Sequence, residues 1–526
     1  MIFFYLLSLL SVAVSDPQAV WPKPAQIKPG SQVFKVSEQF KLVTDSTSTE
    51  LEEMMDRYVK LIQTTRWIPI NPGFQAKDKI NGTLNQVKIT VTSDDINLNE
   101  TTDESYTLKL AEQGSTLVAK TIYGARHGLE TLYQMIQYQS GQRLITKMPL
   151  EIVDQPKYKH RGLLLDTSHN FFPLKDIKRT IETMGRNKMN VFHWHIVDSG
   201  TWLFQSHSHT LLLNRSVIFH DQFYTYKNIS HIVAFAKTHG VRVIPELQVP
   251  IDSYAVSKAY PELMICKETP KKKCLLDITN VSSIALIDNL IDEFIKAFPD
   301  ARLHLSGTNV KLSNYPAIEN YIEENPEFNT AANVSETFAK RIYDYAKTKN
   351  KDIMVNGEMV SGTSVFPKNT LVQATTPDEA NIANKKSLPF IVASANHWHL
   401  NCTPARKPTP GIPQCNSKTW QEIYTLDLQN YITFKPGTAP IGGEVALFSQ
   451  QADTYSLDYL LWPRSSAAAA EVLWAEPNLD GNTVFIPADT LARLSNFRFR
   501  LLAHGIKAMP LQSLLCAFDP TRCDID

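Results

Sequence analysis

Hydrophobic and polar residues alternate in short runs along the first third of the chain. Residues 86–92 and 106–110 carry apolar side chains at every second position, which is the period of a half-buried strand. Residues 124–136 then place Leu129, Leu132, Tyr133 and Ile136 at helical spacing. This pattern predicts a small α+β domain built from short strands, turns and one helix.

After Pro156 the pattern changes to short apolar runs separated by longer amphipathic stretches. Eight runs have the length and composition of buried strands: residues 163–166, 190–197, 241–247, 302–306, 353–356, 371–374, 390–395 and 441–448. Helical spacing appears between them at residues 177–187, 229–238, 283–298 and 335–347. Eight strands alternating with helices over about 300 residues predict a (β/α)8 barrel. The expected fold class is therefore α/β, with the small α+β domain in front of the barrel.

Polar residues at the ends of these runs mark the candidate functional site, because active sites of such barrels lie at the C-terminal ends of the strands. The candidates are Asp166, Asp198, Glu246, Thr308 with Asn309, Glu358 and Glu444. Residues at strand ends also serve as helix N-caps or pair with barrel arginines. Their position alone therefore does not establish chemistry.

The composition is that of a globular protein and excludes several classes of function. The 526 residues are 43% hydrophobic and 20% charged, which argues against disorder. Lys plus Arg and Asp plus Glu number 53 each, so no global field favours nucleic acid or an anionic membrane. We expect a small or neutral partner, with no nucleic acid, no membrane span, no cofactor and no metal.

The N-terminus is an apolar run that ends in Ala13-Val14-Ser15, with small residues at the positions that a signal peptidase reads. We interpret residues 1–15 as a secretory signal, residues 16–155 as the N-terminal α+β domain and residues 156–526 as the barrel. An uncleaved anchor is the alternative, but the run is short for a bilayer span of about 20 residues.

The cysteines and the glycosylation sequons agree with a lysosomal or secreted protein. All six cysteines occur as near neighbours, which predicts the disulfides Cys266–Cys274, Cys402–Cys415 and Cys516–Cys523. Other pairings stay possible, and no spacing resembles a zinc site. The candidate glycosylation sites are Asn81, Asn99, Asn214, Asn228, Asn280, Asn333 and Asn401.

Longer motifs run through both predicted domains. In the barrel they are His160-Arg161-Gly162 with Asp166-Thr167-Ser168, Asn187-Lys188-Met189-Asn190 with His193-Trp194-His195 and Asp198, Ile441-Gly442-Gly443-Glu444, and Leu461-Trp462-Pro463-Arg464. In front of the barrel they are Val20-Trp21-Pro22-Lys23-Pro24 and Gly124-Ala125 with Glu130-Thr131. In these motifs the chain resembles glycoside hydrolase family 20, the β-N-acetylhexosaminidases of the lysosomal and secreted type.

The resemblance implies an activity that removes terminal N-acetylglucosamine or N-acetylgalactosamine from glycoconjugates. In this family the acetamido oxygen of the substrate acts as the nucleophile, and configuration is retained. An Asp-Glu pair is needed at the end of the fourth strand. The Asp orients the acetamido group and stabilises the positive charge that develops, while the Glu is the general acid and base.

The chain departs from the family at that pair. The family's His-x-Gly-Gly-Asp-Glu-Val reads here His304-Leu305-Ser306-Gly307-Thr308-Asn309-Val310. Thr308 carries no charge, and the amide of Asn309 has no proton to transfer near neutral or mildly acidic pH. Loss of a general acid alone costs about 10²- to 10⁴-fold in rate, and loss of the electrostatic partner adds to that cost.

Most other pocket positions that the resemblance implies are changed as well. The replacements are His169 for an arginine, Asp252 for a histidine, Asn356 and Thr375 for tryptophans, His399 for a tyrosine, Phe448 for a tryptophan and Gln450 for a glutamate. Asp198, Trp398 and Asn401 remain as expected substrate-binding residues, with Glu444 as a buried structural acid. Asn401 is also a sequon, and a glycan on it would block the pocket.

Three functions are compatible with this pattern. The first is an inactive hexosaminidase-like protein, either a glycan-binding protein or the non-catalytic subunit of a homo- or heterodimer with an active hexosaminidase. The second is an active β-N-acetylhexosaminidase with relocated acids, for which Asp198, Asp252 and Glu358 are the candidates. The third is a storage or structural glycoprotein that uses only the stable barrel. We expect the first, because the changes extend around the whole pocket.

Overall fold

A computed structural model of the protein describes most of the chain. The described residues are 20–69, 79–198, 201–217, 219–248, 254–266, 274–307, 312–313, 315–362, 366–400, 418–433, 439–463, 466–475, 486–487 and 489–513. Within them, no helix combines the length and the apolar character needed to cross a membrane.

The N-terminal part is a six-stranded sheet packed with two helices. Its elements are β1 (Gln26–Thr44), α1 (Thr49–Thr64), β2 (Ile80–Val91), β3 (Tyr106–Leu110), β4 (Thr116–Ala119), α2 (Ile122–Met135), β5 (Gln137–Gln139) and β6 (Gln142–Asp154). The strand order is β1-β2-β4-β3-β6-β5, and β1 also pairs with β6, so the sheet curls back on itself. This part is the α+β domain expected from the sequence.

The expectation of a single helix in this domain is wrong, because α1 precedes β2. Its buried residues are Leu51, Met54, Met55, Tyr58 and Ile62, an amphipathic spacing that packs one face of the helix into the domain core. Ser48 caps its N-terminus by accepting a hydrogen bond from the backbone N–H of Leu51.

The rest of the chain forms a closed barrel of eight parallel strands. These strands are β7 (His160–Asp166), β8 (Val191–His195), β9 (Arg242–Gln248), β12 (Arg302–Ser306), β13 (Asp352–Asn356), β14 (Leu371–Ala374), β15 (Phe390–Val392) and β16 (Gly442–Leu447). All eight predicted strands are present, and the observed bounds of several are shorter than the apolar runs. The predicted (β/α)8 barrel is confirmed.

Helices and one hairpin lie between the barrel strands, and further helices follow the last strand. The helices between the strands are α3 (Leu174–Arg186), α4 (Thr210–Ser216), α5 (Tyr226–Thr238), α6 (Tyr254–Ala259), α7 (Val281–Ala297), α8 (Pro316–Glu324), α9 (Ala331–Thr348), α10 (Gly357–Gly362), α11 (Pro377–Lys385) and α12 (Trp420–Tyr424), and those after the last strand are α13 (Leu457–Leu461), α14 (Ser466–Ala475) and α15 (Thr490–Ala503). The hairpin consists of β10 (Met264–Cys266) and β11 (Cys274–Leu276), and the predicted disulfide Cys266–Cys274 joins its strands.

Buried ion pairs join the N-terminal domain to the barrel. The Lys188 ammonium lies 2.9 Å from the Asp154 carboxylate, and both side chains are fully buried. The indole N–H of Trp474 donates to the same carboxylate at 2.9 Å. Because an unpaired charge would be costly at this depth, these contacts fix how the two parts dock.

Candidate functional site

The C-terminal ends of the barrel strands are here called the mouth. The first carboxylate of the mouth, Asp166, has a structural role. One oxygen of Asp166, at the end of β7, accepts hydrogen bonds from the backbone N–H and hydroxyl of Ser168, both at 2.8 Å. The other oxygen accepts from the N–H of Ser449 at 2.8 Å and from His169 Nδ1 at 2.7 Å. Asp166 therefore ties the end of β7 to the segment after β16.

Imidazoles surround the second carboxylate of the mouth, Asp198. Its Oδ2 lies 3.6 Å from His195 Nε2 and 3.7 Å from His169 Nδ1, and 13% of its side chain is exposed. The hydrogen bond to Asp166 raises the pKa of His169. Burial alone would lower the pKa of His195, but the nearby Glu246 and Asp166 carboxylates outweigh burial and raise it to about 10. Protonated imidazoles thus balance the charge of the acids at the mouth.

Below the mouth, Glu444 on β16 lies at the centre of the barrel with no exposed surface. One of its oxygens accepts hydrogen bonds from His193 Nδ1 and Gln373 Nε2, both at 2.7 Å, and the other lies 3.2 Å from His160 Nε2. Burial would raise the pKa of Glu444, but the charge of His193 and the hydrogen bonds lower it to about 2. A side chain at Gly162 would lie within 2.6 Å of the Glu444 carboxylate, so this strand position requires glycine.

A chain of polar groups leads from Glu444 to the mouth through His193 and His304. His193 Nε2 lies 2.8 Å from His304 Nδ1 and 3.3 Å from Glu246, and His304 Nε2 donates to Asn356 Oδ1 at 2.8 Å. Burial lowers the pKa of His304 to about 4, whereas Glu444 and Glu246 overcome the effect of burial and raise that of His193 to about 9. Protonated His193 therefore donates a hydrogen bond to neutral His304.

His193, Glu246 and His304 place one possible ligand atom each within 4.8 Å of the others. Among the described residues, this is the one group of His, Cys, Asp or Glu side chains close enough together to hold a metal ion. A tetrahedral zinc ion with Zn–N bonds of 2.0–2.1 Å would hold two nitrogens roughly 3.4 Å apart. The nitrogens of His193 and His304 lie 2.8 Å apart, which is a hydrogen-bond distance. The two rings are therefore close enough to share a hydrogen bond and too close to hold a zinc ion between these two nitrogens.

Several residues expected at pocket positions make contacts within the protein. The Thr375 backbone N–H and hydroxyl donate to Glu379 at 2.7 and 2.9 Å, and Asn356 accepts from His304. The rings of His399 and Phe448 pack edge to face, with centroids 5.5 Å apart. These side chains therefore serve the packing of the mouth.

The expected substrate residue Trp398 has no exposed surface. Its indole N–H donates to the Ile423 carbonyl at 3.0 Å, and its ring lies so close to Gly443 that a side chain there would meet it at 2.4 Å. The substrate-binding roles of Trp398 and Asp198 stay predictions. The described residues do not include the predicted site positions Thr308, Asn309, Asp252 and Asn401. They also do not include the cysteines of the other two predicted disulfides, Cys402, Cys415, Cys516 and Cys523.

Glu358 lies just beyond the end of a barrel strand, as its position in the sequence predicts. Strand β13 ends at Asn356, and the chain turns at once into α10, where Glu358 is exposed in the first turn. Sequence reasoning gave no role to His193 and His304, which carry the buried network. Their signal was the presence of histidine at positions of strands that are otherwise apolar.

The closed barrel with polar groups at its strand ends is the architecture of many barrel enzymes, and comparison with known proteins gives the family. The model of the glycosyl hydrolase family 20 catalytic domain matches residues 158–477. A second model, described as beta-acetyl hexosaminidase like, matches residues 20–135. The chain belongs to glycosyl hydrolase family 20.

Relatives and solved structures agree with this assignment. The chain is 30% identical over 530 residues to beta-hexosaminidase subunit B2 of Dictyostelium discoideum, covering 96% of this chain and 89% of the relative. It is 27% identical over 527 residues to the human beta-hexosaminidase subunit beta, covering 96% and 91%. An exo-β-N-acetylglucosaminidase structure from Vibrio harveyi has the same fold, with a TM-score of 0.79 at 21% identity over 95% of this chain and 79% of that one.

The free energy of unfolding is expected to fall as the pH rises from about 7 to about 10. Folded His193 and His195, with pKa values of about 9 and 10, hold protons that an unfolded histidine releases near pH 6.5. Their stabilisation is complete below the unfolded pKa and is lost as the pH rises through the folded values. We expect a loss on the order of 6 kcal/mol from the two histidines together, measured by urea denaturation.

The variant His195→Gln separates this effect from other groups that titrate at high pH. It is expected to be less stable at pH 7 and to lose less stability between pH 7 and 10 than the unaltered protein. An equal loss in both proteins would show that His195 carries no proton in the folded state.

Proposed function

We propose that this protein is a hexosaminidase-like member of family 20 that binds glycans and does not hydrolyse them. The observation that carries the proposal is the pair Thr308 and Asn309, which follows barrel strand β12 where the family requires an Asp and a Glu. Neither side chain can protonate a leaving group or stabilise a positive charge as a carboxylate does. The barrel that would hold a sugar is retained.

The arrangement of the described mouth supports loss of turnover. His169, which replaces an arginine, is held 2.7 Å from Asp166 and so cannot act as a long bidentate clamp on a sugar. Asn356 and Thr375, which replace tryptophans, are engaged with His304 and Glu379. Without an aromatic box, water is not excluded from an N-acetyl group, and turnover of the family's substrate should be lost with the acids.

The alternative of relocated acids has weaker support. Glu358 is exposed in the first turn of α10, directly after β13. Asp198 lies between the imidazoles of His169 and His195, at 3.7 and 3.6 Å. A retaining pair of carboxyl groups must also lie about 5–5.5 Å apart, and Asp198 would need such a partner.

The proposal includes the secretory route and a second subunit. The apolar N-terminal run, the disulfide Cys266–Cys274 and the exposed sequons at Asn81, Asn99 and Asn214 support a lysosomal or secreted protein. Several relatives are named as hexosaminidase subunits, which supports a homodimer or a heterodimer with an active subunit. In such a dimer this chain would be the non-catalytic partner.

Calorimetric titration with the β-1,4-linked trimer of N-acetylglucosamine tests the proposal. We expect saturable binding, with the trimer recovered intact by chromatography after prolonged incubation. The variant Asp198→Asn should weaken binding, whereas Asp221→Asn, a change at an exposed acid, should not. Release of N-acetylglucosamine, or the absence of any saccharide binding, would contradict the proposal.

A further inference from the structure

Two tyrosines are exposed beside the barrel mouth. Tyr455 is 80% exposed and Tyr459 is 49% exposed, one turn apart around the start of α13. They line a groove of about 630 Å³ together with Asn170, Gln451, Ala452, Asp453 and Ser456. This set of residues is called the tyrosine shelf here. Its volume is within the range of small-ligand sites, roughly 300–1,000 Å³.

The chain under the tyrosine shelf is rigidly held. Asp453 accepts hydrogen bonds from the backbone N–H groups of Tyr455 and Ser456, both at 2.9 Å, which fixes the turn that carries the first tyrosine. On the inner side of α13, Asp458 is buried and accepts from Arg179 Nε at 2.9 and 3.0 Å. The exposed rings are therefore presented by a backbone that need not reorganise when a ligand binds.

The tyrosine shelf continues directly from the mouth. Asn170 follows His169, and its backbone N–H donates to the hydroxyl of Ser449 at 3.0 Å. Ser449 in turn donates to Asp166 at the end of β7. Hydrogen bonds therefore join the tyrosine shelf to the end of β7 at the mouth.

The composition of the tyrosine shelf fits a saccharide better than a protein. Two aromatic faces can pack against the C–H faces of pyranose rings, while the carboxylate, amide and hydroxyl groups beside them bind sugar hydroxyls. A stable protein interface buries about 800 Å² on each partner around an apolar core. The shelf offers two rings set among polar groups.

We propose that the tyrosine shelf binds an oligosaccharide whose terminal sugar occupies the mouth. The shelf contacts the sugar units that follow the terminal one. This proposal rests on the glycan-binding function proposed above and adds where the rest of the glycan is held. It implies that affinity rises with chain length, because a single sugar does not reach the shelf.

Calorimetry with N-acetylglucosamine and with its β-1,4-linked trimer tests the tyrosine shelf on the full chain. The trimer is expected to bind at least about 10-fold more tightly than the monosaccharide. Tyr455→Ala and Tyr459→Ala should each weaken the trimer by roughly 3- to 10-fold and leave the monosaccharide unchanged. Tyr459→Phe should keep most of the affinity, and Phe219→Ala, at an aromatic residue that is 58% exposed elsewhere, should change nothing.

The failures of the two proposals can be told apart. If trimer and monosaccharide bind equally and the tyrosine variants match the unaltered protein, the shelf is refuted while glycan binding at the mouth stands. If neither saccharide binds, both proposals fall. If light scattering shows that Tyr455→Ala converts a dimer into a monomer with saccharide affinity unchanged, the shelf is a subunit contact and the saccharide proposal is wrong.

Discussion

Replacing Glu444 with alanine is expected to lower the free energy of unfolding by about 3–5 kcal/mol. The carboxylate accepts hydrogen bonds from His193 and Gln373 and lies beside His160 with no exposed surface. Its removal leaves the protonated His193 with Glu246 as its remaining acid partner. It also leaves the buried amide N–H of Gln373 without its acceptor. Urea denaturation at neutral pH, followed by tryptophan fluorescence, measures the loss.

The control for this experiment is Glu324→Ala, which removes an exposed carboxylate at the end of α8. It should change the free energy of unfolding by less than about 0.5 kcal/mol. A similarly small change for Glu444→Ala would mean that the buried acid does not organise the interior of the barrel.

Restoring the family's acids with Thr308→Asp and Asn309→Glu is expected to leave hydrolysis at least about 10²-fold below that of an active family member. The returned acids would face a mouth in which His169, Asn356 and Thr375 make contacts within the protein. Substrate would then lack the positioning on which such catalysis depends. The value of kcat/KM on a chromogenic N-acetyl-β-glucosaminide measures the deficit.

The matched control pairs Thr308→Asp with Asn309→Gln, which has the same side-chain length without a transferable proton. Both double variants are expected to show the same background rate. A rate for the Glu variant within about 10-fold of an active member would show that the pocket is intact and that only the two acids were lost.

Much of the barrel could be predicted from the sequence because its strands are buried on both faces and read as short apolar runs. Strand β12 was found with its bounds, whereas β15 ends three residues before the apolar run does. Helix α1 was missed because its apolar residues are separated by exposed polar ones, as an amphipathic helix requires. Local pattern identified the elements, and tertiary packing decided where each one ends.

The candidate site was less accessible to sequence reasoning. Asp166 and Glu246 were placed at strand ends, but their partners come from distant parts of the chain: Glu444 lies 251 residues from His193. Such separations leave no local pattern, and a histidine pKa depends on which carboxylates surround it.

Turnover of a chromogenic N-acetyl-β-glucosaminide by the purified full-length protein alone tests the proposed loss of catalysis most directly. Between about pH 4 and pH 7, the rate is expected to equal that of the blank without protein. A saturable rate above the blank that Asp198→Asn abolishes would contradict the proposed loss of hydrolysis and establish an active glycosidase with relocated acids.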